Sequence, residues 1–299
     1  MNGKKKLTGA RTGVFGKGGA GKSTLVAILA QTLQQQGYDV CVIDADSTNY
    51  GLPQALGMDS PPKSLLDLYG GMVFSGGKVT CPVDDPTPLI NAEIYLGELP
   101  RQYYVQNDAG ITLLTAGKIG DRGPGAGCDG PIAKISRDLI VHKKDSELVT
   151  LIDFKAGFED TARGVLTNLD WAIVVVDPTI ASVEIAADTR SMIDQIKADV
   201  LPATAHLDKL ELVALANKLF VEAKIKEVFC VMNKIPDVGT EEYLREKLAQ
   251  KGIEPIASIS DYPTIPEAWL KGTRIQINNA KEEIQKIIEV LEEYADGSL

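Results

Sequence analysis

Short apolar runs recur along the chain, separated by longer segments of mixed polarity. The runs are Thr12 to Phe15, Val40 to Ile43, Ile111 to Thr115, Leu148 to Phe154, Trp171 to Asp177, Val228 to Asn233 and Ile256 to Ile259. Because they are nearly unbroken and rich in β-branched residues, they are typical of strands covered on both faces of a parallel sheet.

Apolar residues at helical spacing lie between most of these runs. Examples are the set Leu25, Ile28, Leu29 and Leu33, the set Leu212, Leu215, Ala216 and Leu219, and the closing set Ile284, Ile287, Ile288 and Leu291. Gly37 marks the end of the first helix. Strands that alternate with helices predict the α/β class, with a doubly wound, mostly parallel sheet flanked by helices.

Residues 51–110 do not follow this alternation. They contain Pro61-Pro62, Gly70-Gly71 and the proline-rich segment Cys81 to Pro88, which predict an irregular cap with short elements. Such a cap would lie over the site or extend an interface. No linker, low-complexity stretch or repeat divides the chain, so residues 1–299 are expected to form a single domain.

The composition narrows the classes of partner. The formal net charge of the 299 residues is −10, with 31 Lys plus Arg against 41 Asp plus Glu, so a nucleic-acid partner is not expected. No stretch approaches the roughly 20 apolar residues of a membrane span, and the N-terminus lacks the apolar core of a signal peptide. The closing helix carries many glutamates, which also argues against a membrane partner. A cytoplasmic protein is expected, with Cys41 and Cys230 buried in strands and no disulfide.

The segment between the first predicted strand and the first predicted helix is rich in glycine. Residues Gly16 to Thr24 read G-K-G-G-A-G-K-S-T and contain the pattern G-x-x-x-x-G-K-[ST]. Backbone N–H groups of this loop would surround phosphates at a helix N-terminus, Lys22 would reach the β- and γ-phosphates, and Ser23 would bind Mg²⁺. The predicted nucleotide-binding residues are Gly18, Gly19, Ala20, Gly21, Lys22, Ser23 and Thr24. The fold class is therefore a P-loop NTPase.

Two later strand ends carry polar groups that suit the same site. Asp153 ends an apolar strand in the run Leu151 to Gly157, where it would hold Mg²⁺ through water while the N–H of Gly157 contacts the γ-phosphate. Asn233 and Lys234 end another strand, where the amide would bind a purine edge and the lysine stem would pack on the base. Guanine readers need an aspartate two residues after the lysine, and Pro236 stands there instead, which favours ATP over GTP.

The loop, with its extra lysine Lys17, resembles the deviant Walker A ATPases. This family includes the nitrogenase iron protein, the septum-positioning and partition ATPases, and the nickel-insertion ATPases of carbon monoxide dehydrogenase. The resemblance implies that Lys17 crosses to the nucleotide of a second subunit, so that a homodimer forms around two ATP molecules. It also implies that Asp46 orients or deprotonates the attacking water and that Asp44 supports the Mg²⁺ shell. Lys17, Lys22 and Asp46 are then the catalytic residues.

A second glycine-rich segment, from Gly117 to Gly130, bears on the subgroup. It resembles the segment that supplies a cluster cysteine in the nitrogenase iron protein, and also the G-C-x-C metal-binding segment of the nickel-insertion ATPases. The chain departs from both, because residue 130 is glycine and Asp160 stands where the iron protein needs its second cysteine. Cys128 is expected to be exposed, and either has no metal role or contributes to a Zn, Ni or iron–sulfur site between two subunits, completed by Asp129, a client residue or water.

The sequence therefore predicts a Mg²⁺-dependent ATPase switch that assists the assembly of a metal centre, with nickel insertion into a carbon monoxide dehydrogenase-type client as the specific form. Two alternatives stay open within the same superfamily. One is a partition or positioning ATPase, and the other is an electron donor similar to the iron protein.

Overall fold

The computed structural model describes residues 5–118, 128–276 and 280–297, apart from the side chain of Phe74. In this part of the chain the main sheet has eight strands. In spatial order they are β10 (Pro255–Ser260), β9 (Glu227–Ile235), β8 (Trp171–Val176), β1 (Arg11–Gly16), β7 (Val149–Asp153), β2 (Val40–Asp44), β5 (Thr112–Thr115) and β4 (Val105–Gln106). The edge strand β4 is antiparallel to β5, and the other neighbours pair in parallel.

Helices cover both faces of this sheet. They are α1 (Lys22–Gln35), α2 (Leu52–Ala55), α3 (Leu65–Leu68), α4 (Gly130–Asp138), α5 (Glu159–Ala162), α6 (Ile180–Lys197), α7 (Leu210–Val221), α8 (Val238–Ala249), α9 (Thr264–Lys271) and α10 (Lys281–Ala295). The predicted doubly wound, mostly parallel sheet is confirmed. None of the described helices is long and apolar enough to cross a membrane.

The buried side chains form one cluster on each face of the sheet. Along β8, Val174 belongs to the cluster that contains α6 and α8, whereas Ile173 and Val175 belong to the cluster that contains α1 and α10. This alternation follows from the strand period of two residues, and burying each such side chain stabilises the fold by about 1.5–3 kcal/mol. Each apolar run therefore supplies buried side chains to the core clusters on both faces of the sheet.

Helix α1 is enclosed between the sheet and α10. Eleven of its 14 residues are buried, and it contacts β1, β2, β7 and α10. The apolar face of α10, formed by Ile284, Ile287, Ile288 and Leu291, is buried in the same cluster. The glutamates of α10 therefore remain at the surface, while its apolar residues form part of the core.

Residues 51–110 contain short elements that pack on the sheet. In addition to α2, α3 and β4, they form 3₁₀ turns at Val73–Ser75 and Arg101–Tyr103, and β3 (Glu93–Tyr95), which pairs in parallel with β6 (Ile140–His142). Leu65 and Leu66 enter one core cluster and Leu52 enters the other. The single domain and the role of this segment as a cap stay predictions.

An aromatic stack joins the ends of two neighbouring central strands. The rings of Phe15 in β1 and Phe154, just after β7, are nearly parallel, with centroids 4.5 Å apart. A Cβ on Gly13 would lie 2.8 Å from each of these rings, so glycine is needed for the stack to form. The stack holds the start of the phosphate loop next to the segment that follows Asp153.

Candidate active site

The carboxyl ends of the parallel strands meet at one edge of the sheet, where they form a cavity of about 600 Å³. Its wall combines the glycine-rich loop after β1 with Asp46, Thr48 and Asn49 after β2 and Ala156 after β7. Asn233 and Lys234 of β9 and residues 260–269 complete it. Segments far apart in sequence are thus brought together because β1 lies between β7 and β8.

The glycine-rich loop is held in shape from behind by Asn233. Gly19 and Gly21 have φ angles of +79° and +102°, which favour glycine. The Nδ2 of Asn233 donates to the carbonyl oxygen of Ala20 at 2.7 Å, and a Cβ on Gly21 would lie 2.1 Å from that nitrogen. Lys234 Nζ donates to the carbonyl oxygen of Gly19 at 2.8 Å. Both predicted base-contacting residues therefore support the loop, and their contact with a purine stays a prediction.

Lys22 lies at the base of the cavity, almost fully buried. Its Nζ donates to the carbonyl oxygen of Lys17 at 3.3 Å. Burial lowers the pKa of Lys22, and the nearby carboxylates of Asp153 and Asp46 oppose that effect. A partly desolvated ammonium at the start of α1 is suited to bind the phosphates of a nucleotide.

Ser23, Asn49 and Asp153 form a compact polar group beside Lys22. Ser23 Oγ donates to Asp153 Oδ2 at 2.5 Å, and Asn49 Nδ2 donates to Ser23 Oγ at 2.7 Å. Burial raises the pKa of Asp153 to about 6, although the hydrogen bond from Ser23 acts in the opposite direction. Its other oxygen, Oδ1, is buried and has no hydrogen-bond partner among the described residues.

This orphaned acceptor tests the fit of the implied Mg²⁺. A hydroxyl and a carboxylate oxygen are hard donors of the kind that Mg²⁺ prefers, and one carboxylate oxygen is left for its hydration shell. The predicted metal residues Ser23 and Asp153 therefore fit Mg²⁺. Asn49 belongs to the same group, and its position three residues after Asp46, in the same polar run, is the signal that could have indicated it.

Asp46 and Asp44 separate in the structure. Asp46 lines the cavity, and its Oδ1 accepts hydrogen bonds from the N and Oγ1 of Thr48 at 2.9 and 2.7 Å. Asp44 is fully buried and lines a different cavity, where Lys118 Nζ lies 2.7 Å from its Oδ2. Burial raises the pKa of Asp44 to about 7 despite that ammonium.

Lys118 is the organising residue of the segment after β2. Besides binding Asp44, its Nζ donates to the carbonyl oxygens of Asp46 and Asn49. The contacts of Asp44 thus place it in the support of this segment, whereas its predicted part in the Mg²⁺ shell is not tested. Sequence reasoning gave Lys118 no role, because its partners lie about 70 positions earlier in the chain.

Gly157 and Lys17 both have partners within the chain. The N–H of Gly157 donates to the carbonyl oxygen of Gly16 at 3.2 Å, so a contact with a γ-phosphate requires this bond to break. Lys17 Nζ lies 3.0 Å from Asp177 Oδ2, just after β8. The predicted contact of Lys17 with a second subunit likewise requires this ion pair to open.

Trp269 of α9 connects two parts of the cavity wall. Its Nε1 donates to Thr24 Oγ1 at 2.9 Å, and its ring packs against Gly51, where a Cβ would lie 2.6 Å from the ring. It therefore touches both the helix after the phosphate loop and the segment that follows Asn49. The sequence offers no local signal for this role, since tryptophan in an amphipathic helix is ordinarily a packing residue.

Cys128 is half-buried, so the prediction that it is exposed is wrong, although it is less buried than the strand cysteines Cys41 and Cys230. The N–H of Gly130 donates to its sulfur at 3.4 Å, and Gly130 itself packs on Cys81, whose Sγ would lie 2.5 Å from a Cβ at that position. Residues 119–127 of the same segment lie outside the described part. Cys81, which the sequence did not distinguish, thus fills the space beside the Gly130 backbone.

The predicted metal site at Cys128 would need ligands besides this thiol. Among the described residues, no group of three or more His, Cys, Asp or Glu side chains is placed to hold a metal ion. Asp129, suggested as a further ligand, already accepts hydrogen bonds from Ser47 and Lys155. The described residues of a single chain therefore do not fit a complete Zn, Ni or iron–sulfur site.

Comparison with known proteins identifies the family. The model of the CobQ/CobB/MinD/ParA nucleotide binding domain matches residues 14–275. The chain belongs to this family. Within it, the chain is 30% identical over 281 residues to an ATP-binding protein of Methanocaldococcus jannaschii, with 93% of this chain and 98% of that protein covered. The family is one of P-loop ATPase domains, which agrees with the cavity described above.

Two further similarities concern one relative in sequence and one in fold. The chain is 33% identical over 181 residues to the carbon monoxide dehydrogenase accessory protein CooC of Rhodospirillum rubrum, with 60% of this chain and 67% of that protein covered. The MinC:MinD cell division protein complex of Aquifex aeolicus contains a similar structure, with a TM-score of 0.57, 17% identity, and 94% and 95% of the two chains covered. At that identity the similarity concerns the fold.

Proposed function

We propose that the chain is a Mg²⁺-dependent ATPase that dimerises around ATP in the cytoplasm and uses this change to assist the assembly of a metal centre in another protein. The observation that carries the nucleotide part is the convergence of Lys22, Ser23 and Asp46 on one cavity, with the buried Asp153 hydrogen-bonded to Ser23. The similarity to CooC supports the metal part.

Each residue has a distinct role in the proposed reaction. The backbone N–H groups of the loop and the ammonium of Lys22 bind the phosphates, and Ser23 and Asp153 hold the metal with its water. Asp46 orients the attacking water or accepts its proton. Mg²⁺, when bound, neutralises charge on the β- and γ-phosphates. Lys17 adds a positive charge to the nucleotide of the partner subunit, which is the deviant Walker A arrangement.

The preference for ATP rests on the end of β9. Asn233 is buried against the phosphate loop and Lys234 lies over it, so both line the route to the base. Pro236 offers no carboxylate for the N1 and N2 protons of guanine. ATP is therefore the proposed substrate, with the base in the part of the cavity bordered by residues 260–269.

The link to metal assembly is tested through its product. We expect the chain with Mg-ATP to increase the activation of a nickel-deficient carbon monoxide dehydrogenase-type enzyme by added Ni²⁺, and Asp46→Ala to give no increase. Activation equal to that with Ni²⁺ alone would refute this client class. Metal content with an ATP analogue, in wild type and Cys128→Ser, tests the intersubunit thiol site: about one metal ion per dimer, lost in the variant, is expected.

The alternatives have weaker support. A lipid-binding positioning ATPase would need an available amphipathic surface, but the apolar face of α10 is buried in the core. An electron donor similar to the iron protein would need a cysteine near position 160. Asp160 is buried there, with Arg163 Nη1 2.9 Å from its Oδ1.

A further inference from the structure

One carboxylate connects the two segments that flank the proposed nucleotide site. Asp129 Oδ1 accepts a hydrogen bond of 2.6 Å from Ser47 Oγ, which lies in the segment after β2. Its Oδ2 forms an ion pair with Lys155 Nζ, which lies in the segment after β7. The Asp129 side chain is only 11% exposed, and Ser47 is fully buried. Each oxygen of one carboxylate thus holds a different segment.

The partners of Asp129 are chain neighbours of residues that line the cavity. Asp46 and Thr48 line it on either side of Ser47, and Ala156 lines it next to Lys155. Neighbouring side chains in these two segments point in different directions, so one set lines the cavity and the other contacts Asp129. A rearrangement of either segment around a γ-phosphate therefore moves a partner of Asp129.

Asp129 also lies directly beside Cys128. It precedes α4, and the next residue, Gly130, is packed on Cys81 and donates its N–H to the Cys128 sulfur. Packing of Gly130 on Cys81 thus restrains the backbone after Asp129. A displacement of the Asp129 carboxylate is therefore expected to move Cys128, the residue before it. These contacts connect the nucleotide cavity to a half-buried thiol through described residues alone.

We propose that Asp129 is a positioning residue that transmits the nucleotide state of the two segments to Cys128. The proposal rests on the nucleotide switch described under Proposed function and names the route by which the switch reaches the thiol. The reactivity of Cys128 should then depend on whether ADP or an ATP analogue is bound. That dependence should require both the Ser47 and the Lys155 contacts.

The test measures the rate at which iodoacetamide modifies Cys128, followed by mass spectrometry of its peptide, with Mg-ADP or with a non-hydrolysable ATP analogue. In wild type the two rates should differ by at least about threefold. In Asp129→Asn, Ser47→Ala and Lys155→Met the ratio should fall to about one, while the dissociation constants for nucleotide change less than about twofold. Lys155→Arg should restore the ratio. Cys41 and Cys230, both buried, provide internal references.

Asp138→Asn is the matched control. Asp138 is a poorly exposed carboxylate at the opposite end of α4 from Asp129; it is bound to Arg137 and to the N–H of Leu89 and contacts neither segment. It should keep the wild-type ratio. Gel filtration of Asp129→Asn with the analogue should show the wild-type oligomer, so that a lost ratio does not reflect lost dimerisation.

Three results would overturn the proposal. A wild-type ratio of one with nucleotide bound would show that Cys128 does not sense the switch. An Asp129→Asn variant that is faster with both nucleotides but keeps the ratio would show a purely structural role. Absence of nucleotide binding to wild type would refute the proposed function itself, and the relay with it.

Discussion

Lys17 Nζ lies 3.0 Å from Asp177 Oδ2 of the same chain. The carboxylate is well prepared for this contact, because its Oδ1 accepts hydrogen bonds from the hydroxyls of Thr179 and Ser182. Burial acts to raise the pKa of Asp177, but these bonds and Lys17 outweigh it and keep the pKa below its ordinary value. Lys17, which is proposed to act on a second subunit, is therefore bound within its own chain by an ionised carboxylate.

We expect Asp177→Asn to favour the ATP-dependent dimer, because it weakens the competing contact of Lys17. An ion pair of this exposure contributes up to about 1 kcal/mol, which corresponds to an approximately two- to fivefold lower dissociation constant of the dimer. Lys17→Ala should prevent dimerisation. Sedimentation velocity with an ATP analogue measures both effects.

Glu184→Gln is the control for that experiment. It removes a surface ion pair, with Lys251 at 2.8 Å, outside the cavity, and should not alter dimerisation. If Lys17→Ala dimerises and hydrolyses ATP like wild type, the lysine does not act across subunits.

Asp46→Ala should bind ATP but hydrolyse it about 10²–10⁴-fold more slowly, because only activation of the water is lost. The carboxylate lines the cavity and is held by Thr48, so Thr48→Val should show a smaller loss through misorientation of Asp46. Phosphate release and gel filtration check both variants. A monomer at saturating ATP with undiminished turnover would exclude Asp46 from this role.

Asp153→Asn should stabilise the metal-free, nucleotide-free protein at neutral pH while abolishing hydrolysis. Burial raises the pKa of Asp153 to about 6, above its value of about 4 in the unfolded chain, so the folded state holds the proton more tightly. This contribution to stability is present at low pH and is lost as pH rises through 6. Because asparagine does not ionise, the free energy of unfolding of the variant should exceed that of wild type by about 1–3 kcal/mol above pH 7.

Thermal unfolding in EDTA at several pH values measures this difference. The gap in melting temperature between Asp153→Asn and wild type should be small near pH 4.5 and widen until about pH 7. A gap of the same size at all pH values would mean that the carboxylate is not destabilised by its burial.

Trp269 should report nucleotide binding through its fluorescence, since it touches both Thr24 and Gly51. The chain has two tryptophans, and Trp171 is buried within the sheet, so Trp269→Phe should remove the signal. Gly51→Ala should push the ring away, which lowers folding stability by about 1–3 kcal/mol and weakens nucleotide binding. Gly97→Ala is its control, because a Cβ there meets nothing within 4 Å.

The strands of the main sheet were largely predictable because long-range packing and local pattern agree in them. β4 and the β3–β6 pair were not, since strands of two or three residues have too few positions to show a period. Helix α7 was expected from its apolar spacing, yet only Ala216 in it is buried. Periodicity predicts the helix but does not show how much of its apolar stripe another element covers.

The candidate site divides in the same way. The glycine-rich loop, Asp46 and Asp153 could be predicted as site residues because each has a local pattern and each follows a strand whose carboxyl end faces the same edge. The residues that hold the segments around the site, Lys118, Asp129 and Asp177, do so through contacts between parts of the chain that are distant in sequence. Such contacts depend on the register of several strands at once, which no single stretch of sequence specifies.

The burial of α1 limits which parts of the site can change conformation. A helix that is buried along eleven of its 14 residues, against the sheet and α10, cannot slide or tilt without opening the core cluster that it shares with α10. The phosphate loop at the start of α1 is therefore a fixed element, and conformational change is left to the parts of the protein around it. In the proposed function, free energy released from ATP would therefore act on the short segments after Asp44 and after Asp153. An inhibitor that bound only at the phosphate loop would compete with nucleotide. An inhibitor that bound between the segments after Asp44 and after Asp153 would instead hold the protein in one conformation with ATP still bound.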